Sequence, residues 1–137
     1  MVILSVDYGD ARTGIAVCDK NSILASPVCV IKERYEPKLI EKIAELVEEY
    51  SAEEIVVGKP VNMDGTLGCR AQRCIEFAGK LADRIGIKVS LYDERLTTVA
   101  AHRALSVTNT RGAARKNVVD ALSAQIILQD YIDSIKK

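Results

Sequence analysis

The sequence is poor in the side chains that build several common kinds of active site. It has no tryptophan, one phenylalanine and a single histidine, His102, which we expect on a helix surface. A lone histidine remote from the cysteines argues against both a histidine-based triad and a zinc centre. The cysteines lack CxxC spacing and are predicted to be free thiols that pack as small apolar residues. They are Cys18, Cys29, Cys69 and Cys74.

Long apolar runs are also missing, as is any excess of one charge. No uncharged stretch approaches the roughly 20 residues that a membrane helix needs, and the first acidic residue, Asp7, comes too early for a signal peptide. The 137 residues are 48% hydrophobic and carry no net charge, which excludes a disordered chain or a collagen. We therefore expect one domain over residues 1–137, in the cytoplasm and without a membrane partner.

The overall neutrality hides an uneven distribution of charge. Residues 1–58 hold 6 basic and 11 acidic side chains, whereas residues 59–116 hold 11 basic and 5 acidic ones. The basic middle segment is suited to binding a polyanion. The alternative is that these charges are ordinary solvated helix faces, and the counts alone do not decide between the two.

Hydrophobic periodicity predicts an α/β domain. Three short β-branched runs with tight turns indicate an antiparallel meander, in which Pro27 marks an edge strand or a bulge. After Glu36-Pro37 the apolar period becomes helical, and strands and helices then alternate. The predicted strands are 2–7, 14–18, 23–31, 54–58 and 88–92, and the predicted helices start at 36, follow Gly68, and cover 97–105 and 117–135. The order βββαβαβαα predicts a mixed five-stranded sheet flanked by helices.

Acidic residues follow two of these strands, at the end where α/β sheets usually bind ligands. Asp7 ends the first strand, and alternation places it on the face opposite Leu4 and Val6. Asp93 and Glu94 follow the fifth strand, and either side chain could point into a site. The alternatives are a capping aspartate for Asp7 and a surface ion pair for Asp93 or Glu94.

A third carboxylate, Asp120, lies on the last helix. It shares a stripe with Ala124, Ile127 and Tyr131, which indicates an inward face. A charge on that face is costly unless it is paired or binds a metal; the alternative is a first-turn partner for Lys116. Carboxylates from two strand ends and one helix form a hard-oxygen site suited to Mg²⁺ or Mn²⁺.

Four motifs in order, covering nearly the whole chain, resemble the YqgF/RuvX family, whose members are described as Holliday junction resolvases and as pre-16S rRNA processing nucleases. The motifs are VDYGDARTGIAVCD, IVVGKPVNMDGTLG, YDERLTT and RKNVVDALSAQIILQDYI. The resemblance implies an RNase H-like fold related to RuvC and divalent-metal nuclease activity. It nominates Asp7, Glu94 and Asp120 as catalytic metal ligands, with Asp93 as the alternative to Glu94, and Arg12, Arg95 and Lys116 as phosphate contacts.

The sequence departs from the RuvC pattern at one place. RuvC-like enzymes carry the middle acid at the end of the fourth strand, where this chain has Gly58-Lys59-Pro60. The middle acid is therefore expected from Asp93 or Glu94. The stretch from Asp7 to Gly14 also resembles the first phosphate loop of actin-like nucleotide-binding proteins, but those need two such domains around the nucleotide.

The function predicted from these features is metal-dependent endonucleolytic cleavage of structured nucleic acid, with pre-16S rRNA processing favoured by the resemblance. The alternatives are Holliday junction resolution and a non-catalytic nucleic-acid-binding assembly factor. Binding is expected to be largely electrostatic, with residues 106–116 as a mobile arm, by a monomer or homodimer. The predicted phosphate-binding residues are Arg12, Lys59, Arg70, Arg73, Arg95, Arg111, Arg115 and Lys116.

Overall fold

A computed structural model of the protein describes residues 1–9, 11–60, 68–93 and 113–135, with side chains in the last helix from residue 121 onward. The strands are β1 (Ile3–Asp7), β2 (Thr13–Cys18), β3 (Ala25–Ile31), β4 (Glu54–Lys59) and β5 (Lys88–Asp93). The helices are α1 (Glu36–Tyr50), α2 (Cys69–Ile85) and α3 (Ala113–Ile135). No helix in these ranges is both long enough and apolar enough to span a bilayer.

The five strands form one mixed sheet in the order β3-β2-β1-β4-β5. Strands β1, β2 and β3 pair antiparallel, whereas β4 is parallel to both β1 and β5. The predicted meander and mixed sheet are thus confirmed. Pro27 lies on the edge strand β3, and the β2–β3 register shifts so that Ile15 pairs with Cys29 but Ala16 with Pro27. The extra residue is a bulge, as the absence of a proline N–H favours.

The alternation of side chains along the central strand divides the interior into two cores. Leu4 and Val6 face α1 and α2, together with Phe77. Ile3 lies on the other face, in a second core with Leu128 of α3. This division places Asp7, two residues beyond Ser5, on the α3 side of the sheet.

Helix ends follow the local sequence except at α3. Helix α1 begins with Pro37 in its first turn, and α2 ends at Gly86, whose φ of 80° is the predicted glycine cap. Helix α3 begins at Ala113, earlier than the predicted residue 117, because Ala, Arg and Lys are strong helix formers even without apolar periodicity. Residues 113–116 are therefore helical, which corrects that part of the predicted mobile arm. The predicted helix 97–105 lies outside the described residues.

All four cysteines are free thiols, as predicted. Cys18 and Cys74 are buried and Cys29 is half-buried, in keeping with the expected packing role. Cys69 is exposed at the start of α2, so the expectation of core packing was wrong for this one residue.

Candidate metal and nucleic-acid site

The carboxyl ends of β1, β4 and β5 meet at one edge of the sheet because the three strands are parallel. The last residues of these strands are Asp7, Lys59 and Asp93. Ligand sites of α/β sheets commonly lie at this edge. The structure therefore places three of the residues nominated from the sequence at this edge, although their side chains do not all lie on one face of the sheet.

Asp7 is buried, with 7% of its surface exposed, in the middle of this edge. Its partner on β2 is Gly14. On the other side Val6 pairs with Val57, so the next residue, Gly58, lies beside Asp7. Both neighbours are glycines, so neither places a side chain next to the carboxylate on the α3 side of the sheet.

Helix α3 runs antiparallel to β1 across this face. The Ser5 hydroxyl donates a hydrogen bond of 2.7 Å to the carbonyl oxygen of Ala124. Further along the helix, Tyr131 donates to the Glu54 carboxylate at the amino end of β4. The amino-terminal part of α3 therefore points toward the carboxyl edge of the sheet, where Asp7 lies.

The hydrogen bond between Ser5 and Ala124 also fixes how far along the axis of the helix residue 120 lies relative to Asp7. Position 120 is one turn before Ala124, about 6 Å along the axis. Asp7 is two residues beyond Ser5, about 6.6 Å along the strand in the same direction. Helix position 120 is thus level with Asp7, although the side chain of Asp120 lies outside the described residues.

Asp93 lies on the opposite face of the sheet from Asp7. It pairs with Lys59 in the sheet. Lys59 lies on the same face as Val57, and Asp93 on the same face as Val89, and both valines contact the core under α1 and α2. Opposite charges at paired positions of neighbouring strands attract each other. Glu94, the other acid nominated at this strand end, is outside the described residues.

The turn after Asp7 is fixed by a close approach of its backbone. A Cβ atom on Gly9 would lie 2.3 Å from the carbonyl oxygen of Arg12, so no other residue fits without opening the turn. The glycine is required here by space and not by a positive φ. The turn delivers Arg12, which is half-buried, beside the strand end.

Tyr8 anchors the same turn on the other face of the sheet. Its ring stacks on Phe77 of α2, with centroids 4.0 Å apart, and its hydroxyl donates a 2.9 Å hydrogen bond to Glu36 of α1. Burial, with the hydrogen bond to Glu36 and its charge, raises the pKa of Tyr8 to about 12. Glu36 also accepts a 2.7 Å hydrogen bond from Lys80. Sequence reasoning missed this cluster, and the only available signal was that Tyr8 must point away from Asp7.

The nominated basic residues are only partly within the described residues. Lys59 is half-buried, and Arg70 and Arg73 are exposed near the start of α2. Arg73 is close enough to Tyr8 for its charge to oppose the rise in the tyrosine pKa. For Arg115 and Lys116 the helical backbone alone is described, and Arg95 and Arg111 lie outside.

Within the described ranges, no group of three or more histidine, cysteine or acidic side chains is arranged to hold a metal. On the α3 side of the carboxyl edge those ranges supply one acid, Asp7. A complete ligand set would need Asp120 and Glu94, whose side chains are outside them.

The fold defines a class of protein. The structure is similar to that of Thermus thermophilus RuvC bound to a Holliday junction substrate, with a TM-score of 0.64 and 15% identity, covering 99% of this chain and 96% of that one. It also matches the fowlpox virus Holliday junction resolvase, with a TM-score of 0.58 and 15% identity over 98% and 99% of the two chains. The fold is therefore RNase H-like, of the RuvC type, as predicted.

Sequence comparison gives the family. The chain belongs to the RuvX family, whose model, described as Holliday junction resolvase, matches residues 1–134. A protein of Acetivibrio thermocellus and one of Ruminiclostridium cellulolyticum, both named "Putative pre-16S rRNA nuclease", are 44% and 40% identical over 136 residues, covering 98% of this chain and 96% of each relative. The predicted family membership is confirmed. The description of the family model and the name of the two relatives match the two nuclease activities that the resemblance implied.

Proposed function

We propose that this protein is a divalent-metal-dependent endonuclease that processes pre-16S rRNA, acting as a single domain in the cytoplasm. One observation carries the proposal. A buried carboxylate, Asp7, ends the central strand between two glycines and faces the helix that carries Asp120 at the same level. The family and the name of its relatives support a nuclease.

The donor set fits Mg²⁺ or Mn²⁺. Carboxylate oxygens are the ligands that these hard ions prefer, and Asp7 lies on the face of the sheet that α3 covers. Asp7, Glu94 and Asp120 would hold the ion. When bound, it would supply the charge that activates a water molecule and stabilises the leaving oxygen of a phosphodiester.

Glu94 is a better candidate than Asp93 for the acid from β5. Asp93 shares its face with Val89 and is paired in register with Lys59, on the side of the sheet away from Asp7. A strand continuing by one residue would bring Glu94 to the face of Tyr92, which is the α3 side. The proposal therefore assigns the metal to Glu94 and leaves Asp93 as a partner for Lys59.

The chain's own residues would bind and orient the nucleic acid. Arg12 follows the turn beside Asp7, and Arg70 and Arg73 begin α2, exposed to solvent. Arg95, Arg111, Arg115 and Lys116 would extend the same basic surface. Since phosphate contacts release counterions, binding should weaken steeply as salt rises.

Holliday junction resolution is the second candidate, because the family model carries that description. Both activities break a phosphodiester with the same groups, so the site itself does not separate them. Two substrates tested side by side do, namely a precursor of small-subunit ribosomal RNA and a four-way DNA junction.

The test is cleavage of each substrate with Mg²⁺, with Mn²⁺ and with EDTA. The native protein is compared with Asp7→Asn and with Asp83→Asn, which changes an exposed acid on α2. We expect metal-dependent cutting of the rRNA precursor that is lost in Asp7→Asn and retained in Asp83→Asn. Cutting of the junction alone would favour the resolvase, and binding without cutting under any metal would favour an assembly factor.

A further inference from the structure

Ser5 provides a buried polar link between the central strand and the last helix. It is fully buried, and its hydroxyl donates to the carbonyl oxygen of Ala124, 119 positions along the chain, at 2.7 Å. A carbonyl oxygen has two lone pairs, so it can accept this bond in addition to the helical N–H. A buried serine hydroxyl is costly without such a partner.

Each residue of this hydrogen bond lies on the same element as one of the two proposed ligands and close to it in the sequence. Ser5 precedes Asp7 by two residues on the same face of β1. Ala124 follows Asp120 by one helical turn. The hydrogen bonds of Gln129 and Tyr131 fasten α3 nearer the amino edge of the sheet. The Ser5 bond is therefore closer to the candidate site than either of these.

We propose that Ser5 is a positioning residue whose hydrogen bond to Ala124 sets the axial position of α3 and thereby the distance between Asp7 and helix position 120. This inference rests on the proposed function. A slip of the helix by one residue moves it by about 1.5 Å. Mg²⁺ requires near-ideal octahedral geometry at about 2.0–2.1 Å, so a slip of that size changes the affinity for the ion.

The experiment measures Mn²⁺ binding to the full chain by the electron paramagnetic resonance signal of the free ion, with Mg²⁺ as competitor. The test variant is Ser5→Ala. The matched control is Ser90→Ala, which also removes a serine hydrogen bond on the α3 side of the sheet, 3.0 Å long to Glu54, but at the amino edge. Asp7→Asn defines binding that does not depend on the site. Ser5→Thr keeps the hydroxyl.

We expect Ser5→Ala to weaken Asp7-dependent binding by about tenfold, the lower end of the range for outer-shell partners of a metal site. Ser90→Ala should bind as the native protein does, and Ser5→Thr should restore most of the affinity. Thermal unfolding identifies any variant that is not folded. If Ser5→Ala does not fold, Ser5→Cys, which fills the same space with a weak donor, is measured in its place and should bind more weakly than the native protein.

The outcomes separate this inference from the function on which it rests. If the native protein shows no Asp7-dependent Mn²⁺ binding, the proposed metal site is wrong, and the inference falls with it. If the native protein binds and folded Ser5→Ala binds equally well, the inference alone is wrong. Equal weakening in Ser5→Ala and Ser90→Ala would also overturn it, because the effect would then belong to helix packing in general.

Discussion

Two buried carboxylates lie under the same helix at opposite edges of the sheet. Glu54, at the amino edge, is 3% exposed and accepts hydrogen bonds from Tyr131 and Ser90. Asp7, at the carboxyl edge, is 7% exposed and has two glycines as its neighbours in the sheet. Burial alone therefore does not assign a role to either acid. The two acids differ in their neighbours, because hydroxyls donate to Glu54 whereas the residues on either side of Asp7 in the sheet are glycines.

The largest contrast is expected in catalysis. Asp7→Asn should lower metal-dependent cleavage by more than about 100-fold, because even outer-shell changes cost about 10–100-fold in metal affinity or activity. Glu54→Gln keeps an acceptor for Tyr131 and should retain activity. Single-turnover cleavage rates measure both. Loss of activity in Glu54→Gln, with the fold intact by circular dichroism, would remove the distinction between the two acids.

The next largest effect is a loss of stability when Glu54, at the amino edge of the sheet, loses its hydrogen bond from Tyr131. Tyr131→Phe leaves the buried Glu54 carboxylate with one donor fewer, which should reduce the free energy of unfolding by about 1–3 kcal/mol. Tyr92→Phe is the matched control, since its ring packs edge-on against Tyr131 but its hydroxyl interacts with the exposed Ser134. Urea unfolding measures the free energy of unfolding of both variants, and an equal decrease in the two would contradict a specific role for the Tyr131 hydrogen bond.

Adding a side chain next to Asp7 tests the other half of the contrast. Gly58→Ala places a methyl group in the row next to the carboxylate and should weaken Asp7-dependent Mn²⁺ binding by about tenfold. Gly79→Ala is the control, because a Cβ there meets no atom within 4 Å. In a helix interior that change should stabilise the protein by about 0.5–1 kcal/mol. Unchanged binding in folded Gly58→Ala would show that the proposed metal site does not need a glycine at this position.

The smallest effect is a pH dependence of stability from Tyr8. Its pKa rises from 10.0 to about 12 on folding, because burial and Glu36 favour the neutral phenol. Its contribution is therefore complete below pH 10 and is lost as pH rises toward about 12. Urea midpoints at about pH 9 and about pH 11.5 should fall less in Tyr8→Phe than in the native protein. An identical decline in both would contradict the assignment.

The local features of the fold could be predicted from the sequence. Pro27 marked the bulged edge strand, Gly86 marked the end of α2, and alternation along β1 gave the face of Asp7. Each depends on backbone rules that act within a few residues. The early start of α3 was missed because helix propensity extended the helix beyond the apolar pattern.

The contacts between distant elements could not be predicted. The bond from Ser5 to Ala124 and the stacking of Tyr8 on Phe77 join residues whose approach depends on how the helices pack. The position of Gly58 beside Asp7 also emerged only from the register of β1 and β4. For Asp7 the strand end could be predicted, but not its surroundings.

The glutamines of α3 have a consequence for the order of assembly. Gln129 accepts the N–H of Ala25 and donates to the carbonyl of Ile23, and Gln125 donates to the carbonyl of Ala25, so side-chain amides continue the hydrogen-bond ladder of an edge strand. The hydrogen bonds that complete the β2–β3 hairpin thus come from residues of a helix about 100 positions further along the chain. During synthesis the α1–α2 side can close first, whereas the α3 side must wait for those residues to leave the ribosome. The α3 side of the sheet, on which Asp7 lies, is therefore covered only after the opposite side has been able to form.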